Sequence, residues 1–386
     1  MFKTLKDLDF KGKKVIVRIG LDVPVDGNGN VLDDQRIKIS VPTIKYLLDH
    51  SAEQIILMGH MGRPKNKEER LSTRKVAKVL SKLLGEKVIK IDDWGENGIP
   101  NSKIVVLENV RFNKLEKDKS VVNRDKFGKQ LASLADIYVE DAFSNCHRDQ
   151  ASMTSVSKFI PGCVGMSVEK EVSLIKKSLD NPKKPTVVVM GGLKADKLNA
   201  IVNLLGKVDK ILIAGALAFT LLKAEGYEMG DSKIDAEGLK SLSSLVKKIN
   251  NNPKIKLPVD AVIADKFDAN ANSKIVSIDQ VSKGWMALDL GPETIAEYKK
   301  IISSAKTILW FGPIGVFEFD KFAKGTKEIG KAIAENKGVS IIGGGDSAKS
   351  VESLGLEDKM TLVSTGGGAS LTLIEGKELV ALKVLS

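Results

Sequence analysis

Short runs of consecutive apolar residues recur along the chain, separated by longer stretches with apolar positions at helical spacing. KVIVRI (14–19), QIILMG (54–59), KIVVLEN (103–109) and DIYVEDAF (136–143) read as strands hydrophobic on both faces. So do TVVVMGG (186–192), KILIAGA (210–216), VDAVIAD (259–265), TILWFG (307–312), VSIIGGG (339–345) and MTLVSTGGG (360–368). Such strands, alternating with amphipathic helices, predict parallel sheets covered on both sides in three α/β/α layers. After Arg36, the residues Ile37, Val41, Ile44 and Leu48 predict one apolar stripe under a polar helix face. SVEKEVSLIKKSLDNPKKP (167–185) predicts a charged helix stopped at Asn-Pro between two series of strands. With 386 residues, the expectation is an α/β chain of two doubly wound, Rossmann-like domains joined by that connecting helix.

Composition sharpens this reading. A hydrophobic fraction of 42% beside 28% charged residues is that of a globular chain. No stretch approaches the ~18–20 continuous apolar residues of a membrane helix, and MFKTLKDLDFKGKK has no signal-peptide apolar core. Cys146 and Cys163 are too few for a disulfide framework and form no zinc motif. A cytoplasmic protein without a membrane partner is expected. The net charge of +11 favours anionic partners. The lysines are nevertheless spread along the chain, without a basic arm or an aromatic-interleaved patch, so nucleic acid is not the expected ligand.

In open parallel sheets, ligands bind beyond the carboxyl ends of the strands, and those positions differ between the two halves. In the first half they carry His60 and Arg63, Arg111, and His147 and Arg148, while Arg36 opens the helix after the first strand. The planar fork of arginine matches carboxylate and phosphate oxygens, so this set suits a small, multiply charged anion. In the second half they are glycine-rich: Gly191-Gly192, Gly312-Pro313-Ile314-Gly315, Gly343-Gly344-Gly345-Asp346-Ser347 and Gly366-Gly367-Gly368. Glycines let backbone N–H groups close on phosphate, and two triglycines at successive strand ends predict a polyphosphate cradle. Asp346-Ser347 also stands where a helix N-cap belongs. GGGDSAKS (343–350) is not a P-loop, because Ala348 replaces its second obligatory glycine. Lys194 and Lys197 follow Gly191-Gly192 on one expected helix face, where an anion would relieve their repulsion.

LMGHMGRP (57–64), LENVRF (107–112), VEDAF with HR (139–148) and LPVDAVIADKFD (257–268) resemble phosphoglycerate kinase. GWMALDLGPET (284–294), FGPIGVFE (311–318), IIGGGDS (341–347) and VSTGGGASLTLIEG (363–376) do so too, in the family's order over essentially the whole chain. The resemblance implies a glycolytic kinase, a monomer closing at a hinge, that moves a phosphoryl group between ATP and 3-phosphoglycerate. It implies a 3-phosphoglycerate domain at 1–166, with the tail 377–386 packed back on it. The connecting helix would span 167–184 and a nucleotide domain 185–376. It assigns Arg36, His60, Arg63, Arg111 and Arg148 to 3-phosphoglycerate. Lys194, Lys197, Glu318, Gly343, Gly344, Gly345, Asp346 and Ser347 go to ATP or ADP, with Asp346 at Mg2+. Arg36, Lys197 and Gly367 are the candidates for holding the transferred phosphoryl.

The chain also departs from the family. D-F-N is usual after the first strand where Gly20-Leu21-Asp22 stands here, so a substrate-binding aspartate is missing; Gly20 and Asp22 still count among the candidate substrate-binding residues, Asp22 adding a negative charge and partly replacing the lost side chain. The lysine loop is one residue shorter than GGxKxxxK. Phe311 replaces an asparagine, and Ala214, Ala216 and Ala287 replace glycines, all expected to narrow the nucleotide pocket. Two alternatives stay open on sequence alone: a family member that binds nucleotide without efficient turnover, and a basic nucleic-acid-binding protein.

Overall fold

The computed structural model describes residues 2–94, 98–193, 197–241, 243–249, 252–364 and 366–386. The chain divides into two compact units, Met1–Ser173 with Glu378–Ser386, and Leu174–Lys377.

The first unit carries β1 (Lys14–Ile19), α1 (Gln35–Asp49), β2 (Gln54–Met58), α2 (Arg74–Leu84), β3 (Val88–Ile91), β4 (Ile104–Leu107), α3 (Val121–Ala132), β5 (Ile137–Asp141) and β6 (Gly162–Val164). Its six strands form one parallel sheet in the order β3-β4-β2-β1-β5-β6. Val15, Ile16, Val17, Ile55, Ile56 and Leu57 are all fully buried, which is why β1 and β2 read as continuous apolar runs. On α1 the buried face is Ile37, Ser40, Thr43, Ile44 and Leu47. Val41 and Leu48, expected in the stripe, lie on its half-buried flank, one position round the helix from the face that meets the sheet.

The carboxyl-terminal residues join this unit. α13 (Val380–Lys383) donates Ala381 N–H to the Cys146 carbonyl, and Lys3 N–H donates to the Leu385 carbonyl. α4 (Met166–Asp180) leaves the first unit. Its opening amides are satisfied by Thr43 Oγ1, which accepts Met166 N–H at 2.9 Å, and by Asp141 Oδ1, which accepts Ser167 N–H at 2.9 Å.

The second unit contains β7 (Thr186–Met190), α5 (Lys197–Leu204), β8 (Lys210–Ile213), α6 (Gly215–Ala224), α7 (Ala236–Ser241), α8 (Ser243–Ile249) and β9 (Ile255–Lys256). Then come β10 (Asp260–Ala264), β11 (Ser273–Ser277), β12 (Met286–Leu290), α9 (Pro292–Ser304), β13 (Thr307–Phe311), α10 (Lys324–Glu335), β14 (Val339–Gly343), α11 (Gly345–Ser353), β15 (Leu362–Ser364) and α12 (Gly368–Ile374). Six strands again form a parallel sheet, in the order β15-β14-β13-β7-β8-β9, with a core that includes the fully buried Trp310.

One expectation fails here. The run at 259–265 does not join the parallel sheet; β10 sits in a separate antiparallel sheet, β11-β10-β12. The short link 265–272 permits an antiparallel partner but not a parallel crossover. β11 turns Ile275 to solvent, as a one-sided antiparallel sheet allows.

Candidate active site

Loops after β1, β2, β4 and β5 bring polar groups to the same end of the first sheet. Asp22, half-exposed in the first of them, is the centre. Its Oδ1 accepts Gly62 N–H at 2.7 Å, and its backbone carbonyl accepts from Arg36 Nη1 at 2.7 Å. Its Oδ2 lies 4.0 Å from the same Arg36 nitrogen and 3.5 Å from His60 Nε2. Arg111 Nη1 donates to the Gly62 carbonyl at 2.6 Å, and Arg148 Nε is 3.4 Å from His147 Nε2. Arg63 is exposed, and Arg148 feels its charge together with those of Asp22 and Arg36. At Gly20 a β-carbon would make only ordinary contacts, 3.7 Å from the Arg36 carbonyl oxygen and 3.9 Å from its Cβ.

The electrostatics are those of a crowded cation site. Burial, then the neighbouring Arg148, pushes Arg111 down to about 10. Burial, then Arg111 and Arg63, also lowers Lys117, a cation that sequence reading missed. Burial alone would raise Asp22, but the His60 ring, the Gly62 amide and Arg36 hold it far below the usual carboxylate range. His60 is fully buried. Burial pushes it to about 3, with Arg18 and Arg111 acting in the same direction and Asp22 against.

This cluster is braced by residues that strand-end positions do not announce. Asn109 donates to the Met61 and Leu71 carbonyls at 2.9 and 3.0 Å and accepts Arg111 N–H at 3.1 Å, fastening two loops together. Arg18, fully buried in β1, donates to Ser152 Oγ at 3.1 Å, and Ser152 in turn donates to Glu116 Oε1 at 2.7 Å. The available signal was a lone arginine within an otherwise apolar strand.

In the second unit, β7 and β13 are neighbours whose following turns lock together. Gly191 N–H donates to the Phe311 carbonyl at 2.8 Å and Gly192 N–H to the Pro313 carbonyl at 2.9 Å. A side chain on Gly191 would overlap the Pro313 carbonyl, so the turn demands glycine. Lys197 opens α5 and donates from Nζ to the Gly191 carbonyl at 2.5 Å. Lys194 lies outside the described residues.

The triglycines follow the paired strands β14 and β15. Gly344, at φ 107, is the N-cap of α11, so Asp346-Ser347 is not the cap that the sequence suggested. Both fall inside the first turn, because only glycine adopts this φ without strain. Asp346 is exposed there, whereas Ser347 is buried and its Oγ accepts Gly312 N–H at 2.6 Å. Gly343 lies under the Phe311 ring. After β15, Gly367 at φ 49 precedes α12.

Beside these turns opens a cavity of about 640 Å³. Phe219, Phe267, Met286, Leu288, Val316 and Phe319 line it with Gly192, Gly215 and Gly315, and its polar groups are Asp231, Lys233, Glu318 and Asp346. The size and the apolar walls with few polar groups suit a nucleoside-sized ligand. Ala216 and Ala287 line it as expected, but Ala214 and Phe311 do not; both are core residues. Glu318 and Asp346 therefore meet at one cavity, whereas Gly343 and the Ser347 side chain are turned inward. Among the described residues no group of three or more His, Cys, Asp or Glu side chains is placed to hold a metal.

The family model for phosphoglycerate kinase matches residues 5–377. The chain belongs to the phosphoglycerate kinase family. It is 43% identical over 396 residues to phosphoglycerate kinase of Roseiflexus sp. (strain RS-1), covering 100% of this chain and 99% of that protein. It is 46% identical over 389 residues to the cytosolic phosphoglycerate kinase of Nicotiana tabacum, covering 97% and 96%. Among solved structures, phosphoglycerate kinase from Coxiella burnetii superimposes with a TM-score of 0.87 at 38% identity, over 100% of this chain and 99% of that one. The enzyme from Pyrococcus horikoshii OT3 gives 0.84 at 31%, over 100% and 98%. As a phosphoglycerate kinase the chain is an enzyme of glycolysis, transferring a phosphoryl group between ATP and 3-phosphoglycerate. A match of this extent to proteins named phosphoglycerate kinase favours neither the non-turnover alternative nor the nucleic-acid one.

Proposed function

We propose that 3-phosphoglycerate binds in the cation cluster of the first unit and the nucleotide in the cavity of the second. The observation that carries the first assignment is the convergence of Arg36 and Arg111 on the Asp22–Gly62 contact, with Arg148 in electrostatic reach. Mutually repelling guanidinium groups gain most from a ligand carrying both carboxylate and phosphate. His60 and Arg63 complete the set, and Asp22 is the acceptor for a substrate hydroxyl. For the nucleotide, the phenylalanine-lined cavity takes the base and Glu318 the ribose. Lys194, Lys197 and the turn 343–347 take the phosphates, the latter through main-chain N–H groups.

The chemistry needs no general base, since the nucleophile is already a carboxylate, or an ADP oxygen in reverse. Catalysis is positioning plus stabilisation of charge on the equatorial oxygens of the moving group. Arg36, Lys197 and the amides around Gly367 are assigned to that charge. One exposed carboxylate, Asp346, at the cavity rim fits a magnesium ion carried in by the nucleotide phosphates, because Mg2+ commonly takes one or two protein carboxylates and keeps its waters. Held there, the ion would supply positive charge to offset that of the nucleotide phosphates.

Donor and acceptor are thus assigned to separate units, 1–166 with 377–386 and 185–376, and the reaction requires closure about the segment 167–184. A monomeric, cytoplasmic enzyme is the accompanying reading. Steady-state kinetics test the assignment. Arg111→Ala is expected to raise KM for 3-phosphoglycerate and leave that for ATP unchanged, and Glu318→Ala to do the opposite. Both KM values moving together in both variants would defeat it. Closure is tested by small-angle scattering, where an unchanged radius of gyration with both substrates bound counts against it.

A further inference from the structure

Arginine has donors and no acceptor. The fully buried Arg18 spends its fork on three partners: the Ile19 carbonyl from Nη1 at 2.6 Å, Ser152 Oγ from Nε at 3.1 Å, and His60 Nδ1 from Nη2 at 2.6 Å. In the last contact Nδ1 has to be the acceptor, so the proton of a neutral His60 ring sits on Nε2. That nitrogen is buried without a hydrogen-bond partner. The nearest carboxylate oxygen, Asp22 Oδ2, is 3.5 Å away, too far for a good bond. A buried donor left unmade is costly, and a substrate oxygen would relieve it.

We propose that Arg18 is a positioning residue for the kinase reaction: it locks His60 as the Nε2–H tautomer and so presents one fixed donor, only loosely held by Asp22, to a substrate oxygen entering beside that carboxylate. The proposal rests on the assignment of 3-phosphoglycerate to this site. The lock has its own support, since Glu116 accepts from both Ser152 N–H, at 3.0 Å, and Ser152 Oγ, and thereby aims the Ser152 lone pairs at Arg18. The charged groups acting on the ring are Arg18 from β1, Asp22 from the loop after it and Arg111 from the loop after β4. Glu116 and Glu140 act on Arg18 from behind. A second ring proton would set an N–H against the guanidinium, in line with burial holding His60 at about 3. His60 is therefore a donor of constant charge through the neutral range, unlike an ordinary histidine.

The test is two-bond proton–nitrogen NMR on the full-length enzyme labelled with 15N-histidine. Free enzyme should give His60 a bare Nδ1 and a protonated Nε2, unchanged between about pH 5 and 8, where an exposed histidine titrates. Adding 3-phosphoglycerate should shift the Nε2–H signal. Arg18→Met should let the ring exchange tautomers or titrate. It should also raise KM for 3-phosphoglycerate about tenfold, the worth of one hydrogen bond to a charged group, without changing KM for ATP. Arg18→Lys, which keeps a donor, should recover part of both. A wild-type His60 with its proton on Nδ1, or doubly protonated at about pH 6, overturns the lock even if no Arg18 variant folds. An intact lock whose signal ignores 3-phosphoglycerate overturns the substrate role. If Arg111→Ala still raises KM for 3-phosphoglycerate, the site assignment survives that failure; if it does not, both fall.

Discussion

The Lys197 ammonium lies 2.5 Å from the Gly191 carbonyl, folded onto the turn after β7 and packed close to Gly192 at the cavity wall. A cation held there by the backbone is placed to meet phosphate without reorganising, the condition under which a charge contributes most to a transition state. Lys197→Ala is expected to lower kcat by about 100-fold or more, with KM for 3-phosphoglycerate nearly unchanged. Lys197→Arg should rescue little, because its wider fork does not fit between Gly191 and Gly312. A loss confined to KM would assign Lys197 to ground-state binding alone.

Ser347 is expected to matter for stability and not for nucleotide affinity. Its hydroxyl is buried and accepts Gly312 N–H. Removing it in Ser347→Ala leaves that amide unpaired, at a cost of about 1–3 kcal/mol. Chemical denaturation should register this loss while the calorimetric Kd for ATP stays within about threefold, less than one hydrogen bond is worth.

Gly20 and Asp22 should behave as one exchange. By resemblance the family carries a carboxylate at the first position and an amide at the third; here the carboxylate has moved to Asp22, where Gly62 N–H fixes it. In Gly20→Asp the β-carbon meets only ordinary contacts, but the change adds a second negative charge, so alone it should raise KM for 3-phosphoglycerate. Gly20→Asp with Asp22→Asn should bring that KM back towards the starting value. Additive effects in the double-mutant cycle would contradict the coupling.

Phe319 and Phe267 pack with ring centroids 5.2 Å apart at the cavity wall. Both rings face the cavity assigned to the base, where an aromatic surface can stack on it. Phe319→Ala should therefore raise KM for ATP several-fold and leave 3-phosphoglycerate unaffected, as measured by titrating each substrate at saturation of the other.

Asp289 should make stability fall as pH rises. Burial pushes its carboxyl up to about 7, although Gly325 N–H donates to Oδ2 at 2.8 Å. Between the unfolded value near 4 and about 7, the folded protein keeps a proton that the unfolded chain releases. The resulting stability is full below that window and is lost through it as pH rises, on the order of a few kcal/mol. Relative to wild type, Asp289→Asn should gain stability between about pH 5 and 8 in denaturation experiments, since the amide does not titrate. A pH-independent difference would place the carboxylate in its ionised form throughout.

Much of this molecule was legible before folding, and particular residues say why. Val15 to Ile19 and Val187 to Met190 have no polar side to show, apart from Arg18, so their sequence alone declares strands buried on both faces. Arg36, Arg63, Arg111 and Arg148 sit directly after such strands or at the next helix, and the carboxyl edge of a parallel sheet follows from the connectivity. The glycine at 344 is likewise a local demand of backbone geometry, at φ 107 where α11 begins, whereas the one at 191 is required by the sequence-distant Pro313 carbonyl.

What the chain alone did not decide is who faces whom. Arg18 became an internal clamp on His60, Ser347 an internal acceptor for Gly312, and the run at 259–265 a member of a separate antiparallel sheet. Phe219, Phe267 and Phe319 line one cavity although long stretches of sequence separate them. Apolar period and turn chemistry are properties of neighbouring residues, so they can be read along the chain. Hydrogen-bond partners, desolvation and cavity walls are set by residues far apart in sequence, and only tertiary packing brings those together.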